Sequence, residues 1–183
     1  MKTDAFVAVS IGDIHWGAHD PTRLMEEMTG IFLKEVEDGG EVIDLVTIDG
    51  DYWDKQLAVS DASFMNGFRF FFRLHDVCKR NNIQLRMMRG TVTHDYNQQE
   101  IFRSFEDETF KLFNTVTVEE IAGKKCLFIP EEYPTNFEEH YGHIIDSPEK
   151  FHIAFMHGTV DFQAWQCQVI ESEKQQQNDL HLL

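Results

Sequence analysis

The sequence predicts a layered α/β fold with a mixed, largely parallel central sheet. Six apolar, β-rich runs of strand length occur along the chain, at 5–11, 42–48, 83–88, 115–121, 125–129 and 151–156. Helix-like stretches separate the first three runs, and an alternation of strands with helices is typical of a parallel sheet. The runs at 115–121 and 125–129 flank Gly123 and Lys124 as a hairpin would, which adds antiparallel pairing.

Two stretches between the strands have the periodicity of amphipathic helices. The first opens at Pro21 and stops at Gly39, and its apolar residues recur at helical spacing. The second runs from Asp61, a suitable N-cap, to about Asn82, and carries a stripe of phenylalanines. An aromatic stripe at this spacing predicts core packing. The polar tail from Gln163 also predicts a helix.

The bulk composition predicts one domain over residues 1–183, in the cytoplasm. The length suffices for a real core, and the 42% hydrophobic content is that of a globular protein. Three scattered cysteines without CxxC spacing indicate free thiols in a reducing compartment. The apolar run 5–11 is too short to span a membrane. The net charge of −16 argues against a free-standing DNA-binding module.

Four of the predicted strands end in a loop that carries carboxylate or imidazole groups. The loops are Gly12 to His15, 49–54, 90–95, and His157 with the two residues after it. Ligands of open α/β sheets sit outside the carboxyl ends of the strands, so these loops are expected to meet at one rim. Asp and His suit divalent ions such as Mn, Fe or Zn. Each motif alone is common, and the ordered set carries the prediction.

This ordered series resembles the calcineurin-like metallophosphoesterases, and within them the Mre11/SbcD-type nucleases, over nearly the whole chain. The family pattern is DxH, GDxxD, GNHD, H and GHxH. The resemblance implies an α/β-β-α layered fold and two divalent metal ions, Mn first, with Fe, Zn or Mg as alternatives. It implies phosphodiester hydrolysis, in which two ions clamp the phosphate and generate the hydroxide that attacks it.

The resemblance also implies a role for each site residue. Asp13 and His15 would bind the first ion, Asp51 would bridge, and His157 would bind the second. His94 would act on the leaving oxygen as the catalytic histidine. Two further carboxylates, Asp54 and Asp95, would orient the ligands and His94 by hydrogen bonds.

The chain departs from the family pattern at two places. Thr93 stands where the pattern has an asparagine ligand of the second ion, and Asn97 is a lower-ranked substitute. The closing GHxH motif does not occur in the 26 residues after His157, and His181 does not fit it. We therefore expect an N-terminal fragment of a longer protein that lacks its C-terminal strands, or else a degenerate site.

The resemblance implies a DNA nuclease that works with a Rad50/SbcC-like ATPase partner, away from membranes, and that is compatible with a homodimer. A small-molecule or cyclic-nucleotide phosphoesterase is the alternative enzyme, and a catalytically degenerate binding subunit is the alternative without activity. Two further groups each allow two interpretations. A set of basic residues would form either one basic patch or a solvated helix face; its members are Arg69, Arg73, Lys79, Arg80, Arg86 and Arg89. His140 and His143, in the acidic EEHYGH segment, would be either extra metal ligands or loop residues.

Overall fold

The computed structural model describes residues 5–132, 137–145 and 150–158, and over these ranges the chain is an α/β protein with two sheets. The strands are β1 (Ala8–Ile11), β2 (Leu45–Asp49), β3 (Gln84–Met88), β4 (Phe110–Phe113), β5 (Thr117–Ile121), β6 (Lys124–Ile129) and β7 (Ile153–Met156). The α-helices are α1 (Pro21–Glu27), α2 (Lys34–Asp38), α3 (Ala62–Arg80), α4 (Val92–Asp95) and α5 (Phe137–Ile145). A π-helical segment (Met28–Leu33) joins α1 to α2, and a 3-10 helix spans Gln98–Phe105.

The first sheet contains β1, β2, β3 and β4 in that order, with every neighbouring pair parallel. The three strands predicted for this sheet are confirmed, although each begins one to three residues later than its apolar run. The fourth strand, β4, was not predicted, because it is only four residues long and only Phe110 and Leu112 are fully buried. The carboxyl ends of all four strands lie at one edge, as expected for parallel strands.

The prediction of one mixed central sheet is wrong, because the mixed strands form a second sheet of their own. The hairpin of β5 and β6 is confirmed as antiparallel, and β7 then pairs with β6 in parallel. The two sheets face each other across a small apolar cluster that includes Leu45, Met88, Phe128 and Phe155. Stacking the sheets buries the face of the parallel sheet that the helices leave uncovered.

The opposite face of the parallel sheet packs against α3. This helix begins where predicted, because the Asp61 carboxylate accepts a 2.7 Å hydrogen bond from the backbone N–H of Ser63. Phe64 and Phe71 of the aromatic stripe are buried, while Phe68 and Phe72 are half-buried. The stripe is therefore core, as predicted, and the chain has a helical layer, a parallel sheet and a mixed sheet.

Two other predicted segments need comment. The loop interpretation of the segment that contains His140 and His143 is wrong, because both residues lie on α5. His140 is exposed on this helix and contacts Glu132 at 2.6 Å. The predicted helix from Gln163, and His181, lie outside the described residues. Within the described residues, no helix is both long and apolar enough to cross a membrane.

Candidate metal centre

The loops after β1 and β2 continue side by side beyond the strands. His15 donates its backbone N–H to the carbonyl of Asp51 at 3.0 Å, and Trp16 forms a parallel bridge with Trp53. The β7 loop lies against them: a Cβ on Gly50 would come within 2.5 Å of the His157 ring. Only a glycine at position 50, which also has a φ of 87°, permits this approach.

Three residues of these loops have a left-handed backbone although none is glycine. The φ angles of Asp13, His15 and Asp51 are 54°, 52° and 48°. Such conformations cost about 1–3 kcal/mol each and persist where the surrounding structure imposes them, most often at functional sites. Their coincidence with three of the predicted metal ligands is an observation independent of the sequence motif.

The Asp51 carboxylate lies between two histidines, with one oxygen directed at each. Its Oδ1 is 3.3 Å from His157 Nε2, and its Oδ2 is 3.8 Å from His15 Nε2. Asp13 Oδ1 lies 3.7 Å from the same His15 nitrogen. Ligand atoms of Asp13, Asp51 and His157 all lie within 4.8 Å of one another. The predicted ligands from three separate loops therefore meet at one point of the sheet edge.

A second group adjoins the first and shares His15. Asp54 Oδ1 is 3.5 Å from His15 Nδ1 and 3.9 Å from His94 Nδ1, and the two imidazole rings meet edge-on at 4.8 Å. Within the part of the chain that the structure describes, both of these buried Nδ1 atoms lack a hydrogen-bond partner. Asp54 therefore lies between His15 and His94 without a hydrogen bond to either Nδ1 atom, and the orienting role that the resemblance implies for it stays a prediction.

His157 is oriented by a backbone carbonyl. Its Nδ1 is 2.6 Å from the carbonyl oxygen of Asp49, and a carbonyl only accepts, so Nδ1 carries the proton. The lone pair of the neutral ring is then on Nε2, the atom that faces Asp51. Metal-ligating histidines are commonly held in this way through their second nitrogen.

Asp95 joins two of the loops rather than orienting His94 directly. Its two oxygens accept hydrogen bonds from the backbone N–H groups of Trp53 (3.0 Å) and Gly90 (2.8 Å). Burial raises the pKa of the Asp95 carboxyl, and these two hydrogen bonds oppose the rise. Asp95 therefore fixes the loops after β2 and β3 to each other, and its predicted role toward His94 stays a prediction.

The third loop brings Thr91, and not Thr93, to the cluster. Thr93 is exposed on α4, whereas Thr91 donates its backbone N–H to Asp51 Oδ1 at 2.6 Å. The Thr91 hydroxyl is 3.3 Å from Asp51 Oδ2 and 2.7 Å from Glu131 Oε2. The sequence reading missed Thr91 and Glu131, because the family motif directs attention to position 93 and no motif marks position 131.

A cleft of about 520 Å³ opens over the cluster. The cleft is lined by residues at or after the ends of β1, β2, β3, β6 and β7. They are Gly12, Asp13, Asp49, Thr91, Glu131, Met156, His157 and Gly158. Burial raises the pKa of the Asp49 carboxyl, against a hydrogen bond from Ser10. The cleft is rich in carboxylates, so a bare anionic substrate would be repelled from it.

The basic residues that cluster in sequence do not form one patch. Arg86 is buried between the sheets, where its guanidinium bonds Glu119 at 2.6 Å. Lys79 contacts Asp107 at 2.9 Å, and Arg80 contacts Asp76 at 3.0 Å. Arg89 donates to the backbone carbonyl of Glu131 at 2.9 Å. The solvated-face interpretation holds for the members on α3, and Arg86 is a structural residue.

The donor types at this edge suit divalent cations. Imidazole nitrogens and carboxylate oxygens form two adjacent groups, Asp13 with Asp51 and His157, and His15 with Asp54 and His94, and Mn, Fe and Zn accept such mixed ligand sets. His15 links the groups, because its Nε2 is 3.7 Å from Asp13 and 3.8 Å from Asp51. The donor types therefore fit divalent ions, but this grouping divides the ligands differently from the first and second sites that the resemblance implies.

Comparison with known proteins adds no family assignment. No protein-family model matches the chain, and no curated protein matches it significantly.

Proposed function

We propose that this chain is a dinuclear-metal phosphoesterase that hydrolyses phosphodiester bonds. The observation that carries the proposal is the position of the Asp51 carboxylate, with one oxygen toward His15 and the other toward His157. A carboxylate so placed is suited to bridge two cations, which act together to stabilise the charge on a reacting phosphate and to activate water. The layered α/β architecture is compatible with a metallophosphoesterase-like fold.

The protein's own groups divide into ligands and a proton-transfer residue. Asp13, His15 and Asp51 would hold the first cation, and Asp51 with His157 would hold the second. His94 lies beside the first position and is more than one-third exposed, so a substrate oxygen can reach it. Its Nδ1 faces Asp54 at 3.9 Å, and its other nitrogen would hydrogen-bond the leaving oxygen.

For the substrate we propose DNA, on the sequence resemblance to Mre11/SbcD-type nucleases, gripped with the help of a Rad50/SbcC-like partner. The electrostatics favour a second candidate, a small phosphodiester. The chain carries a formal charge of −16, and two of the basic side chains on α3, Lys79 and Arg80, are paired with carboxylates. Affinity for duplex DNA depends on neutralising many phosphates, which such a surface does not do alone.

The test is hydrolysis of bis-p-nitrophenyl phosphate in the presence of Mn²⁺. We expect Asp51→Asn to lower the rate by about a thousandfold or more, because losing the bridge removes several kcal/mol of transition-state stabilisation. Asp76→Asn is the matched control, since Asp76 is exposed on α3, where it pairs with Arg80. An unchanged rate for Asp51→Asn, with the fold intact by circular dichroism, would contradict the bridging role.

The same assay separates the substrate candidates. Turnover of the small ester and of a DNA duplex would support the nuclease, and turnover of the small ester alone would support the second candidate. No turnover and no Mn²⁺ binding at millimolar concentration would support the degenerate binding subunit instead.

A further inference from the structure

We infer that Glu131 is a ligand of the second cation, completing a site formed with Asp51 and His157. This inference rests on the proposed function and assigns a residue that neither the motif pattern nor the predicted ligand set contains. The resemblance leaves the second cation short of an oxygen ligand, because Thr93 stands at the asparagine position and is exposed.

The topology brings Glu131 to the metal edge. β6 and β7 are parallel neighbours, so Glu131, two residues after β6, and His157, directly after β7, emerge at the same end. The backbone of Glu131 is clamped to the end of β3. Its N–H donates to the Arg89 carbonyl at 3.1 Å, and the Arg89 guanidinium donates to the Glu131 carbonyl at 2.9 Å. The side chain therefore starts from a fixed position that links the two sheets.

The Glu131 carboxylate points at the same nitrogen as Asp51 does. Its Oε2 is 3.4 Å from His157 Nε2, which is 3.3 Å from Asp51 Oδ1. The Thr91 hydroxyl, at 2.7 Å, holds that oxygen in place and also reaches Asp51. Thr91 thus positions two carboxylates around one imidazole nitrogen.

The arrangement brings three potential metal ligands to face one another. His157 donates through Nδ1 to the Asp49 carbonyl, and its Nε2 faces one oxygen from each of two carboxylates. A cation held among the three groups would offset the repulsion between the two carboxylates. Two carboxylates and one imidazole, two of the three donors being oxygen, form a site suited to Mn²⁺.

The experiment is a calorimetric titration of the full chain with Mn²⁺, paired with electron paramagnetic resonance of the loaded protein. We expect the wild type to bind two ions with an exchange-coupled signal. Glu131→Gln should bind one ion tightly, lose the coupled signal, and bind the second at least about tenfold more weakly. Glu132→Gln is the matched control, because the adjacent Glu132 pairs with His140 instead, at 2.6 Å.

The outcomes distinguish this inference from the proposed function. Two ions bound by Glu131→Gln with wild-type affinity and coupling would overturn the Glu131 assignment and leave the dinuclear site standing. A wild type that binds no Mn²⁺ would overturn both. Equal weakening in Glu131→Gln and Glu132→Gln would attribute the effect to distortion of the segment and would also overturn the assignment. Circular dichroism of each variant checks that it is folded.

Discussion

The carboxylates at the strand-end site and those of the surrounding scaffold have opposite electrostatics. At the site, burial raises the pKa values of Asp49 and Asp95. In the scaffold, Asp107 and Glu119 are also partly desolvated, but cationic partners outweigh the burial and lower their pKa values. The scaffold carboxylates therefore stabilise the fold, whereas the site gathers anionic groups at a cost in stability that bound cations would offset.

The largest expected effect on stability is at the buried ion pair of the scaffold. Arg86 is 1% exposed and makes hydrogen bonds to Glu119 and to the backbone carbonyls of Leu85 and Thr109. Arg86→Met should lower the free energy of unfolding by about 3–5 kcal/mol, because it leaves Glu119 desolvated without its main partner. Urea denaturation measures the change.

A second variant tests the reason for that loss. If the desolvated Glu119 charge, left with Lys111 alone, is the cause, Arg86→Met combined with Glu119→Leu should recover most of the lost stability, since apolar replacements of buried pairs are often neutral. A double variant as unstable as Arg86→Met would assign the loss to packing and backbone contacts.

The next effect is at Asp107, which accepts hydrogen bonds from Lys79 and from the backbone N–H groups of Thr109 and Phe110. Asp107→Asn should lower the free energy of unfolding by about 1–2 kcal/mol at pH 7, a figure reduced for its partial exposure. Because the folded pKa lies below the unfolded one, this stabilisation is present above the usual aspartate pKa and disappears as the pH falls. Wild type and variant should converge in urea titrations at low pH.

A smaller loss of stability is expected at the N-cap of α3, where the Asp61 carboxylate bonds a backbone N–H group rather than a cationic side chain. Asp61→Ala should lower the free energy of unfolding by about 1 kcal/mol, because the backbone N–H of Ser63 loses its acceptor at the start of α3. Thermal denaturation measures the loss, and Asp61→Asn should retain most of the wild-type stability. Equal losses in the two variants would contradict the capping role.

The smallest expected change in the free energy of unfolding is an increase, and it comes from Asp49 at the strand-end site. Asp49→Asn should raise the free energy of unfolding at pH 7, because it removes a charge that burial disfavours, while its amide oxygen can still accept from Ser10. The folded pKa lies above the unfolded one. The wild type therefore loses stability as the pH rises from the usual aspartate pKa through the folded value, and the variant should not.

Denaturation of Asp49→Asn at several pH values without added metal tests this contrast. A variant less stable than the wild type at pH 7 would show that the site carboxylates support the fold as the scaffold ones do, and the comparison between the two regions would fail.

The strands other than β4, the helical stretches that begin at Pro21 and after Asp61, and the acid-histidine loops followed from local patterns. Apolar runs of strand length, the Asp61 cap and the Phe stripe are short-range signals, and each recurs in the structure close to its predicted position. The convergence of Asp13 and Asp51 was also predictable, since β1 and β2 are parallel neighbours that bring their carboxyl ends to one edge, whereas His157 joins them from the second sheet. Distances within the cluster were not, because they depend on left-handed backbone at three non-glycine residues.

Other features were decided only by long-range packing. The strand pattern did not show whether the strands form one sheet or two, because that depends on which sheet faces bury each other. The faces that carry Leu45 and Phe128 pack together although they are more than eighty residues apart in the chain. The same packing brings His157 to Asp51, while the parallel pairing of β6 with β7 brings Glu131 to His157. The fold also makes Thr91, not Thr93, the hydrogen-bond donor to Asp51. The sequence by itself determined which chemical groups stand at the strand ends, because strand and loop signals are local. The tertiary structure decided which of them share a site, because that depends on register and sheet stacking between distant segments.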